Sequence, residues 1–209
     1  MTGLFTLDNL IIFVLCYFIG SFPTAYLIVK ARSNKDLTRE GSGNVGTLNS
    51  FQVSKSKAIG ITVLLTDVLK GALPLYIMLY VLNLGYAPAM IGACSLLLGH
   101  NYPVWLKFKG GRGLATGAGI FIIINYFILI GWLAVWFIVF AFKKKVLIAN
   151  TIATFSLPVY VLLINVVPFM VINNNTSGFS LFYFNVFSLI ITAIILSRHT
   201  EVFKPKSEK

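Results

Sequence analysis

Apolar residues fill six long stretches of this chain, at 10–29, 58–82, 85–106, 114–142, 146–172 and 181–197, with polar residues gathered between them. An α-helix needs roughly 20 apolar residues to cross a bilayer, so the pattern predicts an all-α polytopic membrane protein. The stretch 10–29 has no Lys or Arg before it and no small-residue cleavage pattern after it, which predicts a retained span rather than a signal peptide. The 29 residues of 114–142 read either as one long tilted helix or as two short helices broken around Asn125 and Gly131.

Charge decides between these readings. Of the 17 Lys and Arg residues, all but Lys70 fall into four clusters: Lys30 to Lys57, Lys107 to Arg112, Lys143 to Lys145, and Arg198 to Lys209. If 114–142 crosses twice, every cluster lies on one side of the membrane, as the positive-inside rule asks; if it crosses once, the last two are stranded on the other. The expected topology is therefore about seven transmembrane helices, N-terminus outside and C-terminus cytoplasmic, with two short helices of about 14 residues within 114–142. Composition agrees: 57% of the 209 residues are hydrophobic and 11% charged, and mean hydropathy is +0.86. Residues 1–209 are expected to form a single transmembrane domain with no extramembrane stretch long enough for a soluble fold. The net charge of +11 is spread over short juxtamembrane loops, which favours anionic membrane lipids as partners and speaks against nucleic acid. Cys16 and Cys94 lie in apolar runs without metal-ligand spacing and read as packing residues. The tract NNNTS at 173–177 reads as a polar turn.

This topology collects the chemically suggestive sequences on the cytoplasmic face. In GHNYPVWLKFKGGRGLATGAG, Gly110, Gly111 and Gly113 let backbone N–H groups approach an anion, Lys107, Lys109 and Arg112 supply charge, and a helix starting near Leu114 would point its positive end at the ligand. A lipid-facing basic loop is the plainer alternative. In EGSGNVGTLNS, Gly41, Gly43 and Gly46 alternate with Ser42, Asn44, Thr47 and Asn49, which suits an anion cradle and equally an ordinary linker. Arg198 and His199 leave the last stretch together, a common snorkelling arrangement. Within the spans, Asp67 and Lys70 are three apart on one helix face and read as an ion pair or a functional site. Gly20, Ser21 and Pro23 predict a close helix approach and a kink, for which packing is a sufficient role.

Taken in order, GSFPTAYLI, GSGNVGTLNSF, TDVLKG, GHNYPVWLKFKGGRGLATGAG and RHTE resemble the bacterial acyl-phosphate:glycerol-3-phosphate acyltransferase family, from about residue 20 to residue 201. The resemblance implies a seven-helix bundle in the bacterial cell membrane. It implies transfer of a fatty acyl group from acyl-phosphate to the 1-hydroxyl of glycerol 3-phosphate, giving lysophosphatidic acid and phosphate, by a protein expected to be a monomer. The mixed anhydride is already activated, so no cofactor, metal or acyl-serine is implied, and positioning with charge stabilisation suffices.

By the same resemblance, Ser42 and His199 are the catalytic residues, His199 accepting or relaying the hydroxyl proton unless a substrate phosphate oxygen does so. Gly41, Gly43, Asn44, Gly46, Asn49, His100, Lys109, Gly110, Gly111, Arg112 and Gly113 are implied in substrate phosphate binding. Asp67, Lys70 and Glu201 are supporting residues. The family's first loop typically ends in arginine where this chain has Gln52, and its last motif carries asparagine where this chain has Val202. A catalytically impaired or altered-substrate paralogue is the alternative those two positions imply. An anion transporter is poorly supported, because Asp67 and Lys70 are the only acid and base well inside the spans and no internal repeat is evident.

Overall fold

Local chemistry sets where each helix begins and stops in the computed structural model, which describes residues 6–164 and 181–199. Helix α1, Leu7–Ser21, opens on Thr6, whose hydroxyl accepts from the Asn9 N–H at 3.2 Å, a standard N-terminal cap. It ends because Pro23 has no N–H to continue the ladder and pushes Phe22 into extended backbone. The chain resumes as α2, Thr24–Ser33, closed by Asn34 in the left-handed region at φ 53°. The first apolar stretch is thus two helices with a break, not one kinked helix.

Helix α3 is Thr47–Ser54 and α4 is Lys57–Tyr76, capped at Ser56 and relaxing beyond Pro74 into a π-helical turn, Ile77–Val81. Next come α5, Tyr86–Asn101, and α6, Leu114–Ile124. Asn125 caps a new start by accepting from the Phe127 N–H at 3.0 Å, so α7 runs Tyr126–Lys143. The remaining described helices are α8, Val146–Phe155, α9, Leu157–Ile164, and α10, Leu181–Leu196. The described residues contain no strand. The 114–142 stretch therefore breaks at Asn125, but into helices of 11 and 18 residues rather than two of about 14, because the cap falls early in the stretch.

Two compact units result, Met1–Ile123 and Ile124–Lys209. In the first, glycines bring helices into backbone contact. A side chain on Gly20 would strike the Leu96 carbonyl of α5, and one on Gly99 would strike the Tyr17 carbonyl and sit 2.7 Å from the Ser21 nitrogen of α1. Gly71 and Gly119 seat α4 on α6 in the same way, against the Thr116 and Val68 carbonyls. Close approach through small residues is how membrane helices gain packing where lipid offers no hydrophobic drive. Gly99→Val is accordingly expected to destabilise the protein by about 1–3 kcal/mol through overpacking, read as a lower thermal midpoint in detergent. In the second unit, Trp136 and Trp132 of α7 donate indole N–H bonds to Asn150 Oδ1 and Thr154 Oγ1 of α8 at 2.7 and 3.3 Å, and Gly131 packs under the Tyr160 ring.

By length and composition, the described helices able to cross a membrane are the broken run Leu7–Ser33, Lys57–Val81 and Tyr126–Lys143, with a fourth if Val146–Phe155 and Leu157–Leu163, bent by 43°, form one span. Helices α5, α6 and α10 are shorter. The chain is an all-helical membrane protein in its described residues. The 173–177 tract and Glu201 lie outside them.

Candidate functional site

The 34–46 loop is polar on paper but anchored by its two apolar residues. Leu37 and Val45, 0% and 4% exposed, join Ala25 and Val29 of α2, Val53 of α3 and Val63 of α4 in one buried cluster. At the loop's entry the Asp36 carboxylate accepts from the Thr38 hydroxyl at 2.6 Å and the Thr38 N–H at 2.9 Å. Those two bonds, with Arg39 3.7 Å away, hold the Asp36 carboxyl below its ordinary range. Gly41 and Gly43 take left-handed backbone at φ 61° and 69°, which glycine adopts without strain.

Asn49 organises the turn from inside. Its amide nitrogen donates to the Leu37 and Glu40 carbonyls at 3.3 and 3.1 Å, and its Oδ1 accepts from the Ser42 N–H at 3.0 Å. At 2% exposure, the amide serves the loop, which differs from the phosphate contact expected of it. Ser42 stays exposed, held by its own N–H. The Asn44 side chain folds over Gly46, its nitrogen 2.9 Å from where a Cβ would stand. Gly46 precedes α3 and brings no side-chain cap to it, so an anion there would meet first-turn N–H groups and the positive end of the helix.

The second loop is built back onto the end of α5. Pro103 stops that helix, a 3₁₀ turn spans Val104–Leu106, and Lys107 and Phe108 reverse the chain in left-handed backbone at φ 52° and 62°. The reversal returns Gly110 and Gly111 to His100. The Gly111 N–H donates to the His100 carbonyl at 3.1 Å, so this amide is already engaged and does not point at a ligand as expected. A Cβ on Gly110 would strike the His100 carbonyl and lie 2.7 Å from the Asn101 carbonyl oxygen; one on Gly111 would strike His100 Nε2. Gly113, at φ 78° beside Leu97 and Asn101, starts α6. Lys107 and Lys109 are exposed and Arg112 half-buried.

The two loops meet where the Val45 N–H donates to the Gly110 carbonyl at 3.4 Å. That junction forms one wall of a small, half-open cleft. Ser21, Pro23 and Thr24 at the helix break also line it, with Asp67, Lys70 and His100. Lys70 Nζ is 3.5 Å from Asp67 Oδ1, and His100 Nδ1 is 3.7 Å from the same oxygen. The cleft therefore gathers His100, Gly110, Gly111, Asp67 and Lys70 from the expected set. Gly41, Ser42, Gly43, Asn44, Gly46, Asn49, Lys109, Arg112 and Gly113 lie in the flanking loops, outside its lining. Thr24 and Val45 are functional candidates that inspection of motifs passed over, since one reads as helix filler and the other as a lone apolar residue in a loop.

His199 belongs to the second unit. It is fully buried, with Nδ1 2.8 Å from the Ile195 carbonyl. A carbonyl only accepts, so Nδ1 carries the proton and Nε2 is the acceptor atom of the neutral ring.

The glycerol-3-phosphate acyltransferase family profile matches residues 10–205. Glycerol-3-phosphate acyltransferase of Pelagibacter ubique is 31% identical over 97% of this chain and 96% of its own length. Glycerol-3-phosphate acyltransferase 2 of Lactobacillus johnsonii is 46% identical over a shorter match, 56% of this chain and 54% of its own. Among solved structures, the crystal structure of PlsY (YgiH), an integral membrane glycerol 3-phosphate acyltransferase, in its glycerol 3-phosphate form, is similar with TM-score 0.76 and 28% identity. That likeness covers 93% of this chain and 90% of PlsY. A profile match running through both glycine loops and on past His199, with full-length relatives beside it, has one reading: this chain belongs to the glycerol-3-phosphate acyltransferase family.

Proposed function

We propose that the protein transfers a fatty acyl group from acyl-phosphate to the 1-hydroxyl of glycerol 3-phosphate at the membrane surface, supplying lysophosphatidic acid for phospholipid synthesis. The observation that carries this reading is the Val45–Gly110 junction, which joins two glycine loops beside a cleft at the end of apolar helices. Both substrates carry phosphate, and one carries a tail that belongs in lipid. In the reaction the hydroxyl oxygen attacks the acyl carbonyl carbon, the new ester C–O bond forms, the carbonyl-to-phosphate C–O bond breaks, and inorganic phosphate leaves with the electron pair. By the resemblance to the family, the hydroxyl proton is assigned to His199, whose Nε2 is the acceptor atom of the neutral ring. Charge building on the carbonyl and the departing phosphate is met by backbone N–H groups at the start of α3 and by Lys109 and Arg112. Ser42, exposed at the loop tip, hydrogen-bonds substrate, while Gly41, Gly43, Asn44 and Gly46 shape the turn that presents it and Asn49 holds that turn. Gly110, Gly111 and Gly113 let the second loop approach a phosphate, and His100 backs them.

The seven-span topology, an outside N-terminus, cytoplasmic loops and a cytoplasmic C-terminus belong to this proposal, supported by the one-sided charge clusters. So do a single domain over 1–209, a monomeric state and a bacterial cell membrane whose lipids meet exposed Trp105 and Phe108 beside Lys107 and Lys109. Glu201 has a supporting role.

Gln52 favours one alternative, a paralogue of impaired or altered activity. It is exposed on α3, one turn beyond Asn49, where a cation would reach a phosphate seated at the loop. Restoring the charge in Gln52→Arg is expected to lower KM for glycerol 3-phosphate roughly tenfold, since a charged phosphate contact contributes about 1.5–3 kcal/mol. Steady-state kinetics at constant ionic strength checks this. The function itself is tested by mass spectrometry of the product: lysophosphatidic acid formed in step with phosphate supports it, and hydrolysis of acyl-phosphate alone opposes it.

A further inference from the structure

We propose that Asp67, Lys70 and Thr24 form a positioning clamp for the acyl-transfer site, locking the break in the first span to the ring of His100, and that Lys70 is not a ligand of substrate phosphate. The inference rests on the acyl-transfer reading for its kinetic consequences.

A helix interrupted inside an apolar span exposes carbonyls that have lost their intrahelical donors, and lipid supplies no substitute. The Phe22 carbonyl is such a group. It accepts from the Thr24 N–H at 2.9 Å and from Lys70 Nζ at 2.8 Å. An ammonium has three donors. Among the described residues, three oxygens surround Lys70 Nζ: the Phe22 carbonyl at 2.8 Å, Thr24 Oγ1 at 3.2 Å and Asp67 Oδ1 at 3.5 Å. With its side chain 7% exposed, Lys70 spends its hydrogen bonds on the fold although it lines the cleft. Asp67, at 2% side-chain exposure, is the hub. The same Oδ1 accepts from Thr24 Oγ1 at 3.3 Å and faces His100 Nδ1 at 3.7 Å. The last distance is too long for a hydrogen bond, yet the carboxylate's field orients the ring. The opposite ring edge, Nε2, is where a side chain on Gly111 would collide. A single carboxylate thus couples the α1–α2 break, α4 and the α5 end on which the second glycine loop is built.

Removing one charge of a buried pair strands the other, whereas neutral amides keep the hydrogen-bonding pattern and strand nothing. The experiment compares Asp67→Asn, Lys70→Gln, the double variant and Thr24→Val, measuring kcat, KM for each substrate and the thermal midpoint of the reconstituted enzyme. Each single charge variant should lose about tenfold or more in kcat, short of the roughly hundredfold that misplacement by a full ångström costs, with both KM values within about twofold. The double variant should regain most of that loss, the non-additivity expected of directly coupled residues. Thr24→Val, the mildest change, should lower kcat severalfold with KM unchanged. The proposal is overturned if the double variant is as slow as the worse single, or if Lys70→Gln raises KM for one phosphate substrate about tenfold and the double variant retains that rise. A second readout is independent of turnover. The chain has two histidines, so the His100 ring resonances of 15N-histidine-labelled protein are assignable, and they should shift in Asp67→Asn and return toward wild type in the double variant. Unmoved resonances overturn the clamp. A wild type without turnover but with this pattern would count against the acyl-transfer reading alone.

Discussion

Gly110→Ala is expected to lower turnover at least about a hundredfold, the scale on which an ångström of displacement in a positioned site acts. The new methyl would meet the His100 carbonyl, the Pro103 ring and the Asn101 carbonyl. Two of these are backbone, and no rotamer change relieves them. The backbone at Gly110 must then move, and the Val45–Gly110 hydrogen bond that joins the loops goes with it. Gly111→Ala should be milder, because its methyl meets the His100 side chain, which can tilt at the expense of its alignment with Asp67. Phosphate-release assays on both variants, beside thermal midpoints that establish folding, check the order. Gly110→Ala at near wild-type turnover would show that the loop junction is not part of the site.

His199→Gln is expected to reduce kcat by about a hundredfold to ten-thousandfold, the range for loss of a general base, with little change in either KM. The tautomer decides which nitrogen can act. The Ile195 carbonyl fixes the proton on Nδ1, so Nε2 holds the lone pair to which the proposed reaction assigns the hydroxyl proton. Glutamine retains polar character near that place and cannot accept a proton at neutral pH. Single-turnover kinetics with saturating substrates separates the chemical step from binding. A loss of only a few-fold would mean that a substrate phosphate oxygen accepts the proton and that His199 serves packing.

How far the sequence carries depends on how local the determining interaction is. The break at Asn125 was legible because the amide caps the helix two residues on. The Asp67–Lys70 pair was legible because helix geometry places residues three apart on one face. The start of α6 at Leu114 follows from glycine and charge patterning before an apolar run. By contrast, Thr24 reaches Asp67 across 43 positions and Lys70 reaches Phe22 across 48, and no spacing rule connects them. Pro23 therefore read as a packing kink, when its break creates the carbonyl that Lys70 satisfies. Asn49 misled differently: an asparagine in a glycine-rich loop looks like a ligand, and only its burial and its bonds to Leu37, Glu40 and Ser42 reveal that the loop uses it. The helix lengths of 11 and 18 residues escaped a charge argument that addresses how often the chain crosses and not where each crossing begins.

The most direct test of the account is phosphate release by purified protein in lipidic medium, with acyl-phosphate and glycerol 3-phosphate supplied separately and together, for the wild type and for Ser42→Ala and His199→Ala. The account predicts release only when both substrates are present, and its loss in both variants while each stays folded. Release from acyl-phosphate alone, or full release in either variant, would contradict it.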